Sequence, residues 1–534
     1  MNNYKQDIKS RLNEEEKYRS LLFRRSYLLT DAEIKDVESY PFYGLWKYRK
    51  YGNYSLFSHP LLGVYDYKRD DRVFILIGHA YNPYTSVIDE NVILTSLAQA
   101  YSENETVFFN KVDELTGVFV LLVLNKSGEI TALQDCGGQR LLYFGKVKDS
   151  VVFSSSPQLV ADLFDLQPDF EIEHLLASKG YYRGSGFLPG NKSPYSELKR
   201  LGPNTLVEYN CVSFSIRRFF PREQIVMLKS DEEKKKKITE MQRLFSTNIG
   251  LAIKKWDRVA LSLTGGMDSK TTFANAKEWY KDLFIYSFAS KNSEIVDADA
   301  AADICRRIGV KHHFYEIPET NVEVEDYDFL KKIIEQNTSN ICKLHPNEIR
   351  KYIFFQNLDD FDVEIKSDIS EIGRAYTSRK YYKVNIPRKL HPRHMTITQG
   401  RYFMEPWCMA YADRAYCGFM KETGLVDDIK GYSMHDLTYW EVRMGAWAVT
   451  SFASQEFFHE ITIPYNNRNL LKMFLQFPEE DRINDLPHKA LMIAGNNEMA
   501  KFQQSVKDSY FGKKRMALET VYYYYATLLN TLRG

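Results

Sequence analysis

The residues best suited to chemistry lie in segment 261–269, which reads LSLTGGMDS. An apolar run leads directly into Gly265 and Gly266, and two glycines let the backbone turn sharply enough to aim several N–H groups into one concavity. The helix predicted to follow adds the positive end of its dipole at the same place. These features predict an anion site, although a purely structural turn is the alternative.

Three side chains indicate which anion this is. The hydroxyls of Thr264 and Ser269 can donate to phosphate oxygens, whereas the Asp268 carboxylate needs a cation between itself and a phosphate. The segment matches neither the Walker loop nor GxGxxG; it matches the pyrophosphate loop SGGxDS, with Thr264 in place of the first serine. We therefore predict that it binds the phosphates of a nucleotide, with a cation between them and Asp268. The predicted nucleotide-binding residues are Leu261, Ser262, Leu263, Thr264, Gly265, Gly266, Met267, Asp268, Ser269 and, on the next strand, Ser287.

The elements around this loop follow a β-α-β-α-β pattern that begins at Arg258. The strand RVALSLT precedes the loop, and the helix DSKTTFANAKEWY, the strand LFIYSFA, a helix closed by Gly309 and the strand KHHFYEI follow it. Strands that alternate with helices predict a parallel sheet covered by helices. After Glu325 most segments read as helical, apart from one further strand in DVEIKS.

The chain has a different character before residue 230. Short β-rich runs such as RVFILIGHAYN recur there between turns, and one helix is predicted at about residues 91–101. These runs predict an antiparallel α+β domain. The boundary is marked by SDEEKKKKITEMQRLF, in which Ser230 and Glu233 can form a capping box at the start of a helix.

The composition of the chain argues against several classes of function and of site. The 534 residues include 71 Lys and Arg against 70 Asp and Glu, so no net field is available to capture nucleic acid. The six cysteines are scattered and predict neither a disulfide framework nor a zinc site. A polar N-terminus and the absence of a long apolar run predict a cytoplasmic protein without a membrane partner.

These motifs together resemble the asparagine synthetase family, which includes β-lactam synthetases and lasso-peptide cyclases. In the first half the matching residues are Leu115, Gly117, Phe119, Asp135, Gly138, Arg140, Tyr143 and Ser154. In the second half the match covers the loop, SEIVDADAAADICRRIGVKHH and DLTYWEVRMGAW…IPYNNRNLLKMFLQFP. The resemblance implies an N-terminal-nucleophile αββα sandwich over residues 1–225. It also implies an ATP pyrophosphatase (PP-loop) α/β domain with a helical C-terminal part over residues 230–534.

The resemblance also implies a reaction. At its N-terminus, however, this chain differs from the family members that use glutamine. In the family, a carboxylate attacks the α-phosphate of ATP, pyrophosphate leaves, and a nitrogen nucleophile attacks the acyl-adenylate. Glutamine-using members carry a nucleophilic cysteine directly after the initiator methionine, where this chain has Asn2. We therefore expect no glutaminase activity and a structural N-terminal domain. Cys136, the first cysteine, is expected to be a buried core residue.

The family's second metal motif is altered here to IKSDISEIGRAY. Glu371 falls on the family's glutamate, Ser370 replaces its aspartate, and Asp368 precedes Glu371 by three residues. The resemblance implies that Asp268 and either Glu371 or Asp368 hold Mg²⁺, with Glu371 slightly favoured and also assigned to catalysis. Glu371 could instead merely cap a helix. Arg374 could pair with Glu371 or neutralise a phosphate.

Lys513 and Lys514 lie where relatives carry a basic loop that closes over the adenylate. They are therefore candidates for stabilising developing negative charge, and a solvated basic tail is the alternative. Lys270 could contact a phosphate or face solvent.

The sequence thus predicts an ATP-dependent, AMP-forming ligase that makes amide bonds. Its partners would be a small-molecule or peptide carboxylic acid and either ammonia, an amine, or an amine of the same molecule, which would make the protein a cyclase. One alternative is an asparagine synthase-type amidotransferase fed by a separate glutaminase, and another is a catalytically silent scaffold. A homodimeric assembly stays open.

Overall fold

The computed structural model describes residues 2–183, 186–381, 390–400, 405–425 and 429–502, with positions 517, 518, 520, 521, 523–525 and 528. Its first half contains two antiparallel sheets, ordered β10-β8-β9-β1-β3-β2 and β12-β11-β7-β6-β5-β4. The strands are β1 (Tyr27–Thr30), β2 (Lys47–Tyr51), β3 (Tyr54–Ser58), β4 (Val64–Arg69), β5 (Arg72–Tyr81), β6 (Thr116–Asn125), β7 (Ile130–Gln134), β8 (Tyr143–Val147), β9 (Ser150–Ser154), β10 (Leu198–Arg200), β11 (Thr205–Tyr209) and β12 (Phe214–Arg218).

The two sheets pack face to face and carry helices on their outer faces. Leu29 of one sheet and Ile75 and Val120 of the other belong to one buried apolar cluster between them. The helices of this half are α1 (Asn2–Glu14), α2 (Glu90–Glu103), α3 (Glu105–Asp113), α4 (Pro157–Phe164), α5 (Phe170–Ala177) and α6 (Lys179–Arg183). Leu94 of α2 packs with the second sheet and Leu159 of α4 with the first. The layers are therefore helix, sheet, sheet and helix.

The second half is built on a parallel sheet. Its strands are β13 (Val259–Ser262), β14 (Leu283–Ala289), β15 (His313–Glu316), β16 (Val363–Ile365) and β17 (Glu460–Thr462), in the order β15-β14-β13-β16-β17. Every neighbouring pair is parallel, as the alternation of strands and helices predicts. The expectation of only one strand after Glu325 is wrong, because β17 pairs with β16. Three residues are too few to show a strand period in the sequence.

Helices cover this sheet and fill the C-terminal part. They are α7 (Asp231–Lys255), α8 (Met267–Asn275), α9 (Asn292–Ile308), α10 (Tyr327–Asn337), α11 (Pro346–Gln356), α12 (Tyr376–Tyr381), α13 (Pro392–Met395), α14 (Pro406–Thr423), α15 (Met434–Thr438), α16 (Val449–Gln455), α17 (Arg468–Leu475), α18 (Glu479–Ile483) and α19 (Leu486–Gly495). The capping box of Ser230 and Glu233 at α7 is confirmed, as is the left-handed Gly309 that ends α9. Within the described residues, no helix combines the length and apolar character needed to cross a bilayer.

Buried charges join the two halves. The Arg140 guanidinium pairs with Glu456 and, at 3.2 Å, with Glu460. Glu460 also lies within ion-pair distance of Arg25, at 3.0 Å, and of His79, at 3.3 Å. The Arg140 side chain is only 1% exposed, so these contacts are shielded from solvent. Burial and the neighbouring Glu460 carboxylate raise the pKa of Glu456 to about 7, although Arg140 opposes the shift.

Asp135 and Cys136 lie at the same interface. The Asp135 carboxylate is fully buried and accepts from Asn466 Nδ2 at 2.8 Å and from the Gln139 backbone N–H at 2.9 Å. Cys136 is 3% exposed, burial raises the pKa of its thiol, and its carbonyl accepts from Trp440 Nε1 at 2.8 Å. The expected core role of Cys136 is therefore confirmed, since a buried neutral thiol is a poor nucleophile.

Candidate active site

The order of the parallel sheet places two segments side by side at the carboxyl ends of its central strands. The chain runs outward from β13 to β14 and β15 on one side, and β16 and β17 follow on the other. The connections from β13 and β16 therefore leave in opposite directions, and such a switch point opens a crevice in α/β sheets. The loop after β13 is segment 263–269, and segment 366–371 follows β16.

Side-chain hydroxyls hold the loop in shape. Thr264 Oγ1 and Ser269 Oγ lie 2.8 Å apart, and Ser269 Oγ accepts from the Thr264 backbone N–H at 3.2 Å. Gly266 is the N-cap of α8 with φ −72°, so it needs no left-handed conformation. A Cβ at Gly266 would lie 3.1 Å from Thr264 Oγ1, which is tighter than ordinary contact. A side chain at this position would therefore require Thr264 to shift by a few tenths of an ångström.

Apolar residues fix the two ends of the loop. Leu261 and Leu263 are fully buried, and Met267 is 4% exposed. The Leu263 N–H donates to Tyr286 O at 2.9 Å, which continues the sheet pairing one residue beyond β13. These residues and Ser262 in β13 anchor the loop, while Gly265, Gly266 and Asp268 form its turn and the start of α8.

Ser287 lies next to the base of the loop. Its hydroxyl donates to Leu263 O at 2.6 Å and lies 3.0 Å from His312 Nε2. Burial, followed by the neighbouring His313, lowers the pKa of His312, which therefore favours the neutral ring. The sequence analysis missed this role of His312, because the contact depends on the pairing of β14 with β15.

The structure brings the two motifs into direct contact through Asp268. Its Oδ1 accepts from Ser370 Oγ at 2.5 Å, across 102 residues of sequence, and its Oδ2 accepts from Arg374 Nη1 at 2.9 Å. Ser370 and Arg374 lie in a 3₁₀ turn, Ser370–Arg374, flanked by Ile369 at φ +64° and Ala375 at φ +45°. Ser370 therefore acts as a hydrogen-bond donor to the carboxylate of the loop.

Arg374 also reaches a carboxylate that the sequence analysis missed. Its Nε and Nη2 donate to the two oxygens of Asp485 at 2.8 and 3.2 Å, and Arg379 Nη2 contacts the same carboxylate at 2.5 Å. Among the described residues the hydrogen bonds of Arg374 go to Asp268 and Asp485 rather than to Glu371, and its expected contact with a phosphate stays a prediction. Asp485 belongs to no recognisable sequence motif and lies directly before α19.

Two further carboxylates lie close to Asp268. Burial, followed by Glu364 and Asp268 and against the opposing Lys366, raises the pKa of Asp368 to about 6. Burial, Asp268 and Asp368 raise the pKa of Glu371 to about 8. The alternative in which Glu371 caps a helix is wrong, because Ile369 occupies the cap position of this turn without any side-chain cap.

Carboxylate oxygens are the donors that Mg²⁺ prefers, so the residues at this point suit the predicted ion. Glu371 Oε2 is buried and has no hydrogen-bond partner in the described structure, which a cation would correct. Across the described ranges, no group of three or more His, Cys, Asp or Glu side chains already has the arrangement of a metal site. Asp268, Asp368 and Glu371 therefore fit the ion in their chemistry, and the Mg²⁺ site stays a prediction.

A buried ion pair lies next to segment 366–371. Glu364 of β16 pairs with Lys366 Nζ at 2.6 Å and with His459 Nε2 at 2.6 Å. Lys366 in turn favours the charged form of Asp368. The positions of these groups depend on β17, which the sequence did not reveal.

The lysines flagged by the sequence have different outcomes. Lys270 is 1% exposed, so the alternative in which it faces solvent is wrong, and burial lowers its pKa. Lys513 and Lys514 lie outside the described residues.

No family model matches this sequence, and no curated protein matches it. Among solved structures, the chain is similar to an allosteric regulatory enzyme of purine biosynthesis, with 10% identity, a TM-score of 0.24, and coverage of 61% of this chain and 88% of the other. It is similar to glutamine phosphoribosylpyrophosphate amidotransferase from B. subtilis complexed with ADP and GMP, with 11% identity, a TM-score of 0.22, and coverage of 68% and 73%. It is also similar to glutamine-dependent NAD⁺ synthetase from Acinetobacter baumannii in complex with ADP, with 14% identity, a TM-score of 0.17, and coverage of 30% and 28%. At such low scores these similarities carry no argument about function, which depends on the residues of the chain itself.

Proposed function

We propose that the protein is an ATP-dependent ligase that forms amide bonds through an acyl-adenylate, as a member of the asparagine synthetase-like group. The observation that carries the proposal is the contact of Asp268 with Ser370 and Arg374 at the switch point of the parallel sheet. A glycine-containing loop at a helix N-terminus beside clustered carboxylates and an arginine suits a polyphosphate and its counter-ion.

Each part of the crevice has a role in this reaction. The backbone N–H groups of Gly265 and Gly266 and the hydroxyls of Thr264 and Ser269 would bind the pyrophosphate portion of ATP. Arg374 lies 2.9 Å from Asp268 and would share its charge with the phosphates. When bound, Mg²⁺ would be held by Asp268 with Glu371 or Asp368 and would neutralise the charge of the pyrophosphate.

The chemistry consists of two displacements. An oxygen of the acid's carboxylate attacks the α-phosphorus, and the bond to the β-phosphate oxygen breaks, so pyrophosphate leaves with the electron pair. The nitrogen nucleophile then attacks the acyl carbon, loses a proton, and AMP leaves. Positioning and charge neutralisation by the crevice residues would supply most of the acceleration.

The test is ATP–pyrophosphate exchange in the presence of amino acids, sugar acids and peptides as candidate acids. Asp268→Asn should abolish exchange with any acid that the parent accepts. Asp282→Asn, an exposed aspartate that precedes β14, should leave exchange unchanged and is the matched control. Exchange that persists in Asp268→Asn would refute the assignment of the loop.

Two other outcomes separate the alternatives. A parent protein that neither binds ATP nor supports exchange would be a silent scaffold, with Asp268 permanently occupied by Arg374. Ammonia released from glutamine by the pure chain would contradict the absence of glutaminase activity. Exchange with amide formation only after a glutaminase is added would favour the amidotransferase fed by a separate subunit.

A further inference from the structure

A cavity that includes no residue of the nucleotide loop lies on the outer face of the first antiparallel sheet. It has a volume of about 470 Å³ and lies at the edge strand β2, where the chain between β1 and β2 forms one wall. We call it the edge cleft and define it by the aromatic residues Phe42, Trp46, Tyr48 and Phe57 and the charged residues Asp31, Glu33, Glu38 and Lys50.

Aromatic rings form the apolar part of the edge cleft. Phe42 and Phe57 stack with their centroids 5.1 Å apart, and Trp46 contacts Phe42 edge to face at 5.0 Å. Tyr48 lies opposite Phe57 in the β2–β3 register, with its ring 5.3 Å from that of Phe57. Tyr48 is 56% exposed, so a large apolar side chain is left in contact with solvent at the mouth of the cleft.

The charged residues of the edge cleft are mostly acidic. Asp31, Glu33 and Glu38 line it, and among the described residues neither Glu33 nor Glu38 forms an ion pair. Lys50 is the only basic residue among the described residues that line the cleft. Its ammonium donates to Asn53 O at 3.1 Å and Ser55 Oγ at 3.3 Å and neutralises no carboxylate there.

We propose that the edge cleft binds a basic side chain, that of arginine or lysine, carried by a peptide. The negative faces of aromatic rings attract a guanidinium or ammonium group, and its methylene stem would cover Tyr48 and Phe57. The Glu33 and Glu38 carboxylates supply the complementary charge. A peptide is favoured over a free cation because β2 ends its sheet and pairs there only with β3. An edge strand of this kind can accept an extended segment.

The test compares two short peptides on the full chain by calorimetry and by the fluorescence of its tryptophans. The probes are acetyl-Ala-Arg-Ala-amide and the same peptide with citrulline, which keeps the shape of arginine without its charge. The arginine peptide should bind at least about tenfold more tightly than the citrulline peptide. The double variant Glu33→Gln with Glu38→Gln should remove this difference, and Tyr48→Ala should weaken both peptides.

The controls separate this site from general charge attraction. Both glutamates are exposed, so their variants should fold, which an unchanged Tm would verify. Asp70→Asn with Asp71→Asn, at the exposed β4–β5 turn, should leave arginine-peptide binding unchanged. Equal binding of the two peptides to the parent, or an unchanged preference in the double variant, would overturn the proposal. Agmatine binding as tightly as the arginine peptide would overturn the assignment to a peptide. None of these results depends on ATP–pyrophosphate exchange.

Discussion

Arg374 connects the loop to the second motif, and its removal should destabilise the protein in a predictable way. In Arg374→Met, Asp268 keeps only Ser370 and Asp485 keeps only Arg379. Removing one partner of a buried ion pair costs about 3–5 kcal/mol. Because each aspartate retains a donor, we expect a loss of about 2–3 kcal/mol in the free energy of unfolding.

A double-mutant cycle separates the ion pair from the packing of the arginine stem. Arg374→Met, Asp485→Asn and the double variant are compared by urea unfolding at pH 7, and we expect a coupling energy of about 1–2 kcal/mol. The matched control is Arg258→Met with Asp359→Asn, a pair at the opposite end of the sheet. Its side chains are 44% and 91% exposed, so these two changes should be additive.

The result that would refute this reasoning is additivity of Arg374→Met and Asp485→Asn within about 0.3 kcal/mol. Arg374→Lys provides a further check. A lysine carries the charge but cannot contact both aspartates through a planar fork, so it should recover little of the lost stability. Full recovery by lysine would show that the charge alone, rather than the paired geometry, stabilises the crevice.

Two further predictions concern packing and pH. Gly250→Ala should lower the free energy of unfolding by about 1–3 kcal/mol, because the new Cβ would clash with the Trp279 ring. Gly418→Ala, whose Cβ would have no atom within 4 Å, should not lower it. Thermal unfolding of both variants measures the difference. The raised pKa of Glu456 means that the folded state holds this proton more tightly than the unfolded state, so stability is lost as pH rises from about 4.5 towards about 7. The Tm of Glu456→Gln should therefore rise relative to that of the parent across this pH window. The Tm difference between the parent and the exposed variant Glu278→Gln should stay constant. A Tm advantage of Glu456→Gln that falls with pH would contradict the assignment.

The sequence was most informative where chemistry and local structure depend on adjacent residues. Segment 261–269 could be read directly, because the end of a strand, a turn and the start of a helix lie within these nine residues. The alternation of strands and helices also predicted the parallel sheet, since strand and helix periods differ clearly.

Contacts between distant residues could not be predicted in the same way. Ser370 reaches Asp268 because β13 and β16 are neighbours, whereas Asp485 reaches Arg374 from the start of α19. Nothing in the local sequence of either residue shows these contacts. Similarly, β17 is a three-residue strand whose position depends on its pairing with β16. The roles of the family-implied residues Glu371 and Asp368 stay predictions, because their function depends on groups that bind in the crevice.

The turn that carries Ser370 and Arg374 is held under conformational strain at both ends. Ile369 and Ala375 adopt left-handed backbone angles, which cost a residue with a Cβ roughly 1–2 kcal/mol each. Such a cost persists only when the surrounding contacts impose it, so the contacts of Ser370 and Arg374 with Asp268 help to hold the turn in this conformation. Replacing Ala375 by glycine would relieve the strain and also let the turn sample other shapes. The backbone of the turn would then be less strained, while Ser370 and Arg374 would be held less firmly against Asp268.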